Sequence, residues 1–243
     1  MARTRYAELD ILRGIAVMGM ILFHFLFDLN FFGLFSIELN SGPWFWFARS
    51  IAFLFVFLAG LSCVLFSHRK GEGSYSLLRE RGIRIFLAGM GVTLVTFLLF
   101  PEYTIWFGVL HLMGVGLFIA PSLFSRMHYT LPLGVILVGI GILFSHSSFL
   151  GIIPQWVGVF PFPFRTFDYF PLFPWLGVFF LGMGFSTRMY PHGVPRPGLG
   201  WETDSVILRG LQWMGRRSLI IYLVHQPILL FLVWAWLGGK IPL

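Results

Sequence analysis

The sequence is short of charge. Charged residues make up 11% of its 243 positions, and only 10 of them are acidic. An ordinary soluble domain carries about 25% charged residues, so a water-soluble fold of this length could not cover its surface. There is one cysteine, Cys63, and it lies inside an apolar run. That excludes an intramolecular disulfide and a cysteine-based metal cluster. No phosphate-cradling glycine loop and no Gly-x-Ser-x-Gly elbow occurs. No pair of histidines stands at helical ligand spacing with a carboxylate, so no metal site is expected. Internal repeats, low-complexity tracts and a separate soluble domain are also missing, and residues 1–243 read as a single transmembrane domain.

What is present is apolar. Hydrophobic residues are 57% of the chain, with 30 Phe and 9 Trp, and the mean hydropathy is +0.83. A helix needs about 20 mostly apolar residues to cross the hydrocarbon core. Seven segments meet or approach that length: 11–32, 44–66, 83–100, 105–124, 131–150, 170–186 and 219–237. The expected fold is therefore all-α, a polytopic integral membrane helical bundle of about seven transmembrane helices. The first run is long and begins with Asp10 and Arg13, so it reads as a permanent span and not as a cleaved signal.

The formal net charge of +7 would suit a nucleic-acid partner, but the basic residues sit in short segments between apolar runs. That is topogenic charge, not a nucleic-acid face. Arg3 and Arg5 precede the first run. Arg69, Lys70, Arg79, Arg81 and Arg84 lie between the second and third, and Arg126 follows the fourth. Arg188, Arg196, Arg209, Arg216 and Arg217 lie between the sixth and seventh. The alternate connections are nearly empty: residues 36–43 and 101–104 have no Lys or Arg, and only Arg165 and Lys240 fall on that side. Seven spans with a cytoplasmic N-terminus fit this alternation. Residues 187–205, with three prolines, read as a cytoplasmic loop. The aromatic connection 151–169 reads either as a lid over the outer face or as a segment resting at the headgroups.

An ionisable side chain within a span costs at least a few kcal/mol, so each is a functional candidate. The first span carries Asp10, Arg13, His24 and Asp28. Asp10 and Arg13 are one turn apart and can pair. His24 and Asp28 are four apart and share a face. Eleven residues separate Arg13 from His24, about 16 Å of rise with the helical phase nearly closed, so both point the same way. One stripe thus offers a cation at the inner surface and an imidazole deeper in the membrane. This suits a long anionic ligand whose phosphates meet Arg13, Arg81, Arg84, Arg216 or Arg217 and whose reactive end reaches His24. His24 would be the general base, with Asp28 or His111 to orient it. The plainer alternative is a structural histidine beside a solvated carboxylate. In the last span Tyr222, His225 and Gln226 precede Pro227, which frees a backbone carbonyl and suggests a helix lining a cavity.

These residues also carry a resemblance. The stretch 9–16 (LDILRGIA), with His24 eleven residues past Arg13, resembles the first span of the transmembrane acyltransferase superfamily. Residues 53–62 (FLFVFLAGLS), 107–114 (FGVLHLMG) and 171–183 (PLFPWLGVFFLGM) resemble its prokaryotic DUF1624 branch, related to the heparan-alpha-glucosaminide N-acetyltransferase catalytic domain family. Residues 215–219 (GRRSL) and 221–227 (IYLVHQP) resemble its ending. The resemblance implies a cell-membrane, multi-pass acyltransferase. It would move an acetyl or short acyl group from cytosolic acyl-CoA, acetyl-CoA above all, to a sugar or glycan at the extracytoplasmic side. The arginines would sit near CoA and His24 near the acceptor. Tyr222, His225, Gln226 and Trp175 would be substrate-binding, with Gln226 turned toward the oxyanion, and a homodimer is left open. Some relatives carry asparagine where His24 stands and a histidine in the first outer loop. Residues 31–43 contain none, so that assignment of the base does not transfer. The rival reading is a small transporter or flippase with His and Asp in a solute or proton path.

Overall fold

The computed structural model describes residues 6–36, 38–39, 41–71, 73–144, 165–199, 201 and 205–238. Arg3, Arg5, Lys240 and most of the connection 151–169 lie outside the described residues, as does the end of the fifth expected span. Eight α-helices account for most of the described chain: α1 (Ala7–Phe31), α2 (Gly42–Lys70), α3 (Ser74–Leu99), α4 (Val109–Ile119), α5 (Thr130–Phe144), α6 (Leu172–Met189), α7 (Val206–Arg216) and α8 (Ser218–Trp236). There is no strand among the described residues. The expected all-α membrane architecture is found.

Long apolar runs become helices here because a backbone in hydrocarbon must satisfy its own N–H and C=O groups. Five stretches are long and apolar enough to cross a membrane: α1, α2, α3, the 36 residues Val109–Phe144, and α8. Only 17% of the apolar window of α3 is buried, and Leu87, Leu94 and Leu98 stand exposed along it. Lipid is the medium that such a surface requires. The number seven is not reached by this measure. The fourth and fifth expected spans run on through a 3₁₀ segment, Ala120–Tyr129, whose Arg126 has non-helical torsions. Residues 105–108 are not helical at all, so α4 has only 11 residues. The sixth, α6, has 18 residues, breaks helical geometry at Phe173 and ends with Arg188 in its last turn.

The chain divides into two compact units, and the division falls within α2. One unit contains the chain up to Phe55 and from Pro197 onward; the other runs from Val56 to Arg196. In the first unit α1 packs against α7 and α8. A side chain on Gly14 would collide with the carbonyl oxygen of Leu211, and one on Gly215 with that of Asp10. These two glycines let α1 and α7 touch backbone to backbone. Leu29, Phe32 and Val233 form a small buried cluster between α1 and α8, with Leu230 and Leu237 packed on it.

In the second unit close approach is again made by glycine. Gly60 of α2 abuts the Phe179 carbonyl of α6, and Gly182 of α6 abuts that of Phe57. Gly134 of α5 and Gly177 of α6 face one another's carbonyls in the same way. Small residues at helix crossings are how spans gain van der Waals contact when lipid removes the hydrophobic driving force.

Candidate functional site

The polar stripe of α1 faces α7 at one end and α8 at the other, and Asp10, His24 and Asp28 each find a partner there. At the start of α1, Arg13 Nη1 donates to Asp10 Oδ1 at 2.8 Å, and Arg216 Nε donates to Asp10 Oδ2 at 3.4 Å. The intrahelical pair expected from the three-residue spacing is present. The Arg216 contact needs α7, whose backbone lies on Asp10 because Gly215 lacks a side chain. Two guanidiniums share one carboxylate, so the trio keeps a net positive charge. Arg217 stacks over the Trp213 ring at 4.7 Å.

Deeper along α1, His24 Nδ1 lies 2.7 Å from His225 Nε2 of α8. The ring centroids are 4.9 Å apart and the planes differ by 18°. Together with the short N–N contact, this describes two imidazoles bonded end to end in nearly one plane, not rings stacked face to face. His225 Nδ1 in turn lies 2.7 Å from the carbonyl oxygen of Tyr222 and 3.2 Å from that of Ile221. Carbonyls only accept, so His225 Nδ1 carries the proton. Its Nε2 is then the acceptor, and the proton between the rings belongs to His24 Nδ1. His24 Nε2 is left with the lone pair. Burial of His225, 6% exposed, keeps this chain of bonds away from competing water.

One turn further, Gln226 Nε2 donates to Asp28 Oδ1 at 2.7 Å. Asp28 is 2% exposed. Its second oxygen, Oδ2, and Gln226 Oε1 are both buried without a hydrogen-bond partner among the described residues. The four-residue spacing predicts that Asp28 orients His24; it bonds Gln226 instead, and His225 is what bonds His24. One N–H of the Gln226 amide goes to Asp28, and its second N–H is the one that the expected oxyanion role would use.

The remaining expected residues belong to the second unit. His111 is 1% exposed. Its Nδ1 accepts from the Gly108 N–H at 3.2 Å and its Nε2 faces Thr93 Oγ1 at 3.4 Å, while that hydroxyl donates to the Ile105 carbonyl. Both nitrogens are engaged at the beginning of α4, where a helix leaves N–H groups without partners. Asp168 accepts from the Val109 N–H at the same helix start; nothing in its sequence neighbourhood marks it. Trp175 is buried with its ring 4.8 Å from that of Phe170. Arg84 pairs with Glu80 at an exposed position of α3. Arg81, on the same helix, lies three residues before it. Among the described residues no group of three or more His, Cys, Asp or Glu side chains is arranged to hold a metal ion.

A family model described as heparan-alpha-glucosaminide N-acetyltransferase, catalytic, matches residues 5–227. The chain belongs to that family. The match takes in Arg13, His24 and Asp28 at one end and His225 and Gln226 at the other. The family is one of membrane acetyltransferases acting on glucosamine-type acceptors. No curated protein and no solved structure matches the chain. Membership, with the apolar helices above, makes this a multi-pass membrane protein of the acetyltransferase type.

Proposed function

We propose that this chain is a single-domain acyltransferase of the cell membrane, with its N-terminus in the cytoplasm. It carries an acetyl or short acyl group from cytosolic acyl-CoA to a sugar or glycan on the extracytoplasmic side. The observation that carries the reading is the bonded series Tyr222 C=O, His225, His24, which leaves His24 Nε2 as a fixed base. In the Ser-His-Asp arrangement a carboxylate holds the imidazole in its working tautomer. Here a second imidazole and a backbone carbonyl do so.

In the reaction, His24 Nε2 takes the proton of the acceptor hydroxyl or amine as that atom attacks the thioester carbonyl. The C–S bond then breaks and the CoA sulfur leaves with a proton. His225 stabilises the charged His24 by accepting its Nδ1–H. General-base assistance of this kind contributes about 10²- to 10⁴-fold. The CoA phosphates would meet Arg13 and Arg216, whose shared carboxylate leaves them a residual positive charge, and Arg217 beside them. Arg81 and Arg84 stay candidates for cofactor binding on the strength of the sequence alone. We assign His111 to holding the start of α4.

The test is release of free CoA by the purified protein in lipid nanodiscs, with acetyl-CoA and a panel of sugars. Sugar-dependent release that is lost in His24→Ala, while acetyl-CoA still stabilises the protein thermally, supports the reading. No thermal stabilisation at millimolar acetyl-CoA would overturn it and bring solute transport forward.

A further inference from the structure

Two buried acceptors of one hydrogen-bonded pair in the first unit have no donor among the described residues: Asp28 Oδ2 and Gln226 Oε1. With Asp28 as a carboxylate, Gln226 turns its NH₂ toward it, because a carboxylate bonded at 2.7 Å requires a donor, and the amide oxygen is left outside that contact. A buried polar atom left without a partner costs about 1–3 kcal/mol, and here two belong to one bonded pair. Each stands on the same helix as a member of the histidine pair. Asp28 is one turn past His24 on α1, and Gln226 follows His225 on α8.

We propose that Asp28 and Gln226 form a two-acceptor clasp that selects the acceptor substrate. The group it takes presents two adjacent polar hydrogens and no competing acceptor between them: neighbouring hydroxyls of a sugar, or a hydroxyl beside an ammonium. What the held group does next rests on the acyl-transfer reading above; the binding itself does not. The clasp sets which face of a sugar is held within reach of His24 Nε2, while the base is supplied separately by the histidines. Asp28 and Gln226 are thus specificity residues, and they act on sugar binding more than on the chemical step.

The experiment measures sugar binding by saturation-transfer NMR on the full chain in nanodiscs, with no acyl donor present. The probes are D-glucosamine, D-glucose and a fully O-methylated glucose. The wild type should bind the first or the first two, and not the methylated sugar. Binding of glucosamine alone identifies the ammonium form, and binding of both identifies the diol. Asp28→Asn, which turns a donor toward the clasp, should weaken the bound sugar ten- to a hundredfold. Gln226→Met, of similar length but without the oxygen, should do the same. Thermal stabilisation by acetyl-CoA should be retained in both, which reports that they are folded. Equal binding of all three sugars, no sugar binding in the wild type, or binding untouched by both substitutions would overturn the clasp. Substitution-sensitive sugar binding without any response to acetyl-CoA would keep the clasp and remove the acyltransferase reading.

Discussion

His24 Nδ1 and His225 Nε2 lie 2.7 Å apart across 201 positions of sequence. One ring belongs to the first helix and the other to the last described one. Neither ring alone determines where its proton sits. The Tyr222 carbonyl does, by claiming the far nitrogen of His225, and the choice passes through that ring to His24.

Removing the base should remove the reaction. His24→Ala is expected to lower kcat by about 10²- to 10⁴-fold, with the Kd for acetyl-CoA little changed. Steady-state rates beside a direct binding measurement check this.

Removing the orienting ring should do less. His225→Phe keeps an aromatic ring but takes the acceptor from His24 Nδ1. The expected loss is on kcat, smaller than for His24→Ala, and the double substitution should be no worse than His24→Ala alone. Such non-additivity marks residues acting as a unit, and a double-mutant cycle on kcat measures it.

The arginine end should read as ligand affinity. A ligand that binds only the folded state at a hundred times its Kd contributes about 2.7 kcal/mol of stability. Arg13→Ala should shrink the thermal shift given by acetyl-CoA. Asp10→Asn releases Arg13 and Arg216 from their shared carboxylate and should make acetyl-CoA binding more sensitive to salt. Thermal melts across a salt series test both.

Backbone contact between α1 and α7 should be intolerant of a methyl group. Gly215→Ala places a carbon against the Asp10 carbonyl oxygen, and overpacking of this kind costs about 1–3 kcal/mol or more. Gly210→Ala, on the same helix with open space around it, should be neutral or slightly stabilising, since Ala is the better helix former. Melting temperatures of the two variants give the comparison.

His111→Leu should reveal its place at the start of α4. It leaves the Gly108 N–H without its acceptor, a loss of about 1–3 kcal/mol for a buried donor. Melting temperature should fall more than the rate per folded molecule does.

The helices are legible because hydropathy and length act locally, and so is the Asp10–Arg13 pair, one turn apart on one helix. The stripe from Arg13 to His24 comes from helical phase. What that stripe touches does not, because pairing α1 with α8 depends on the whole chain between them. Spacing makes Asp28 the partner of His24; tertiary contact gives Asp28 to Gln226 and His24 to His225. Helix α7 is concealed within a polar connection. Its signal is present in Val206, Ile207 and Trp213 alternating with Arg209 and Arg216 at helical spacing, but 11 residues fall short of a span. The short α4 is hidden in an unbroken apolar run, since residues 105–108 are about as apolar as the helix they lead into.

The bond between Asp28 and Gln226 also sets an order of assembly. Synthesis proceeds from the N-terminus at about 5–20 residues per second, so α1 is made roughly 10–40 s before the residue that donates to its carboxylate. Through that interval the nascent α1 carries Asp28 near its end without Gln226. It must keep that turn at the headgroups or proton-bound, and can settle to its final depth only when α8 enters. A chain stalled before Gln226 should therefore hold α1 loosely and be open to proteolysis, whereas a completed one locks its first helix with its last.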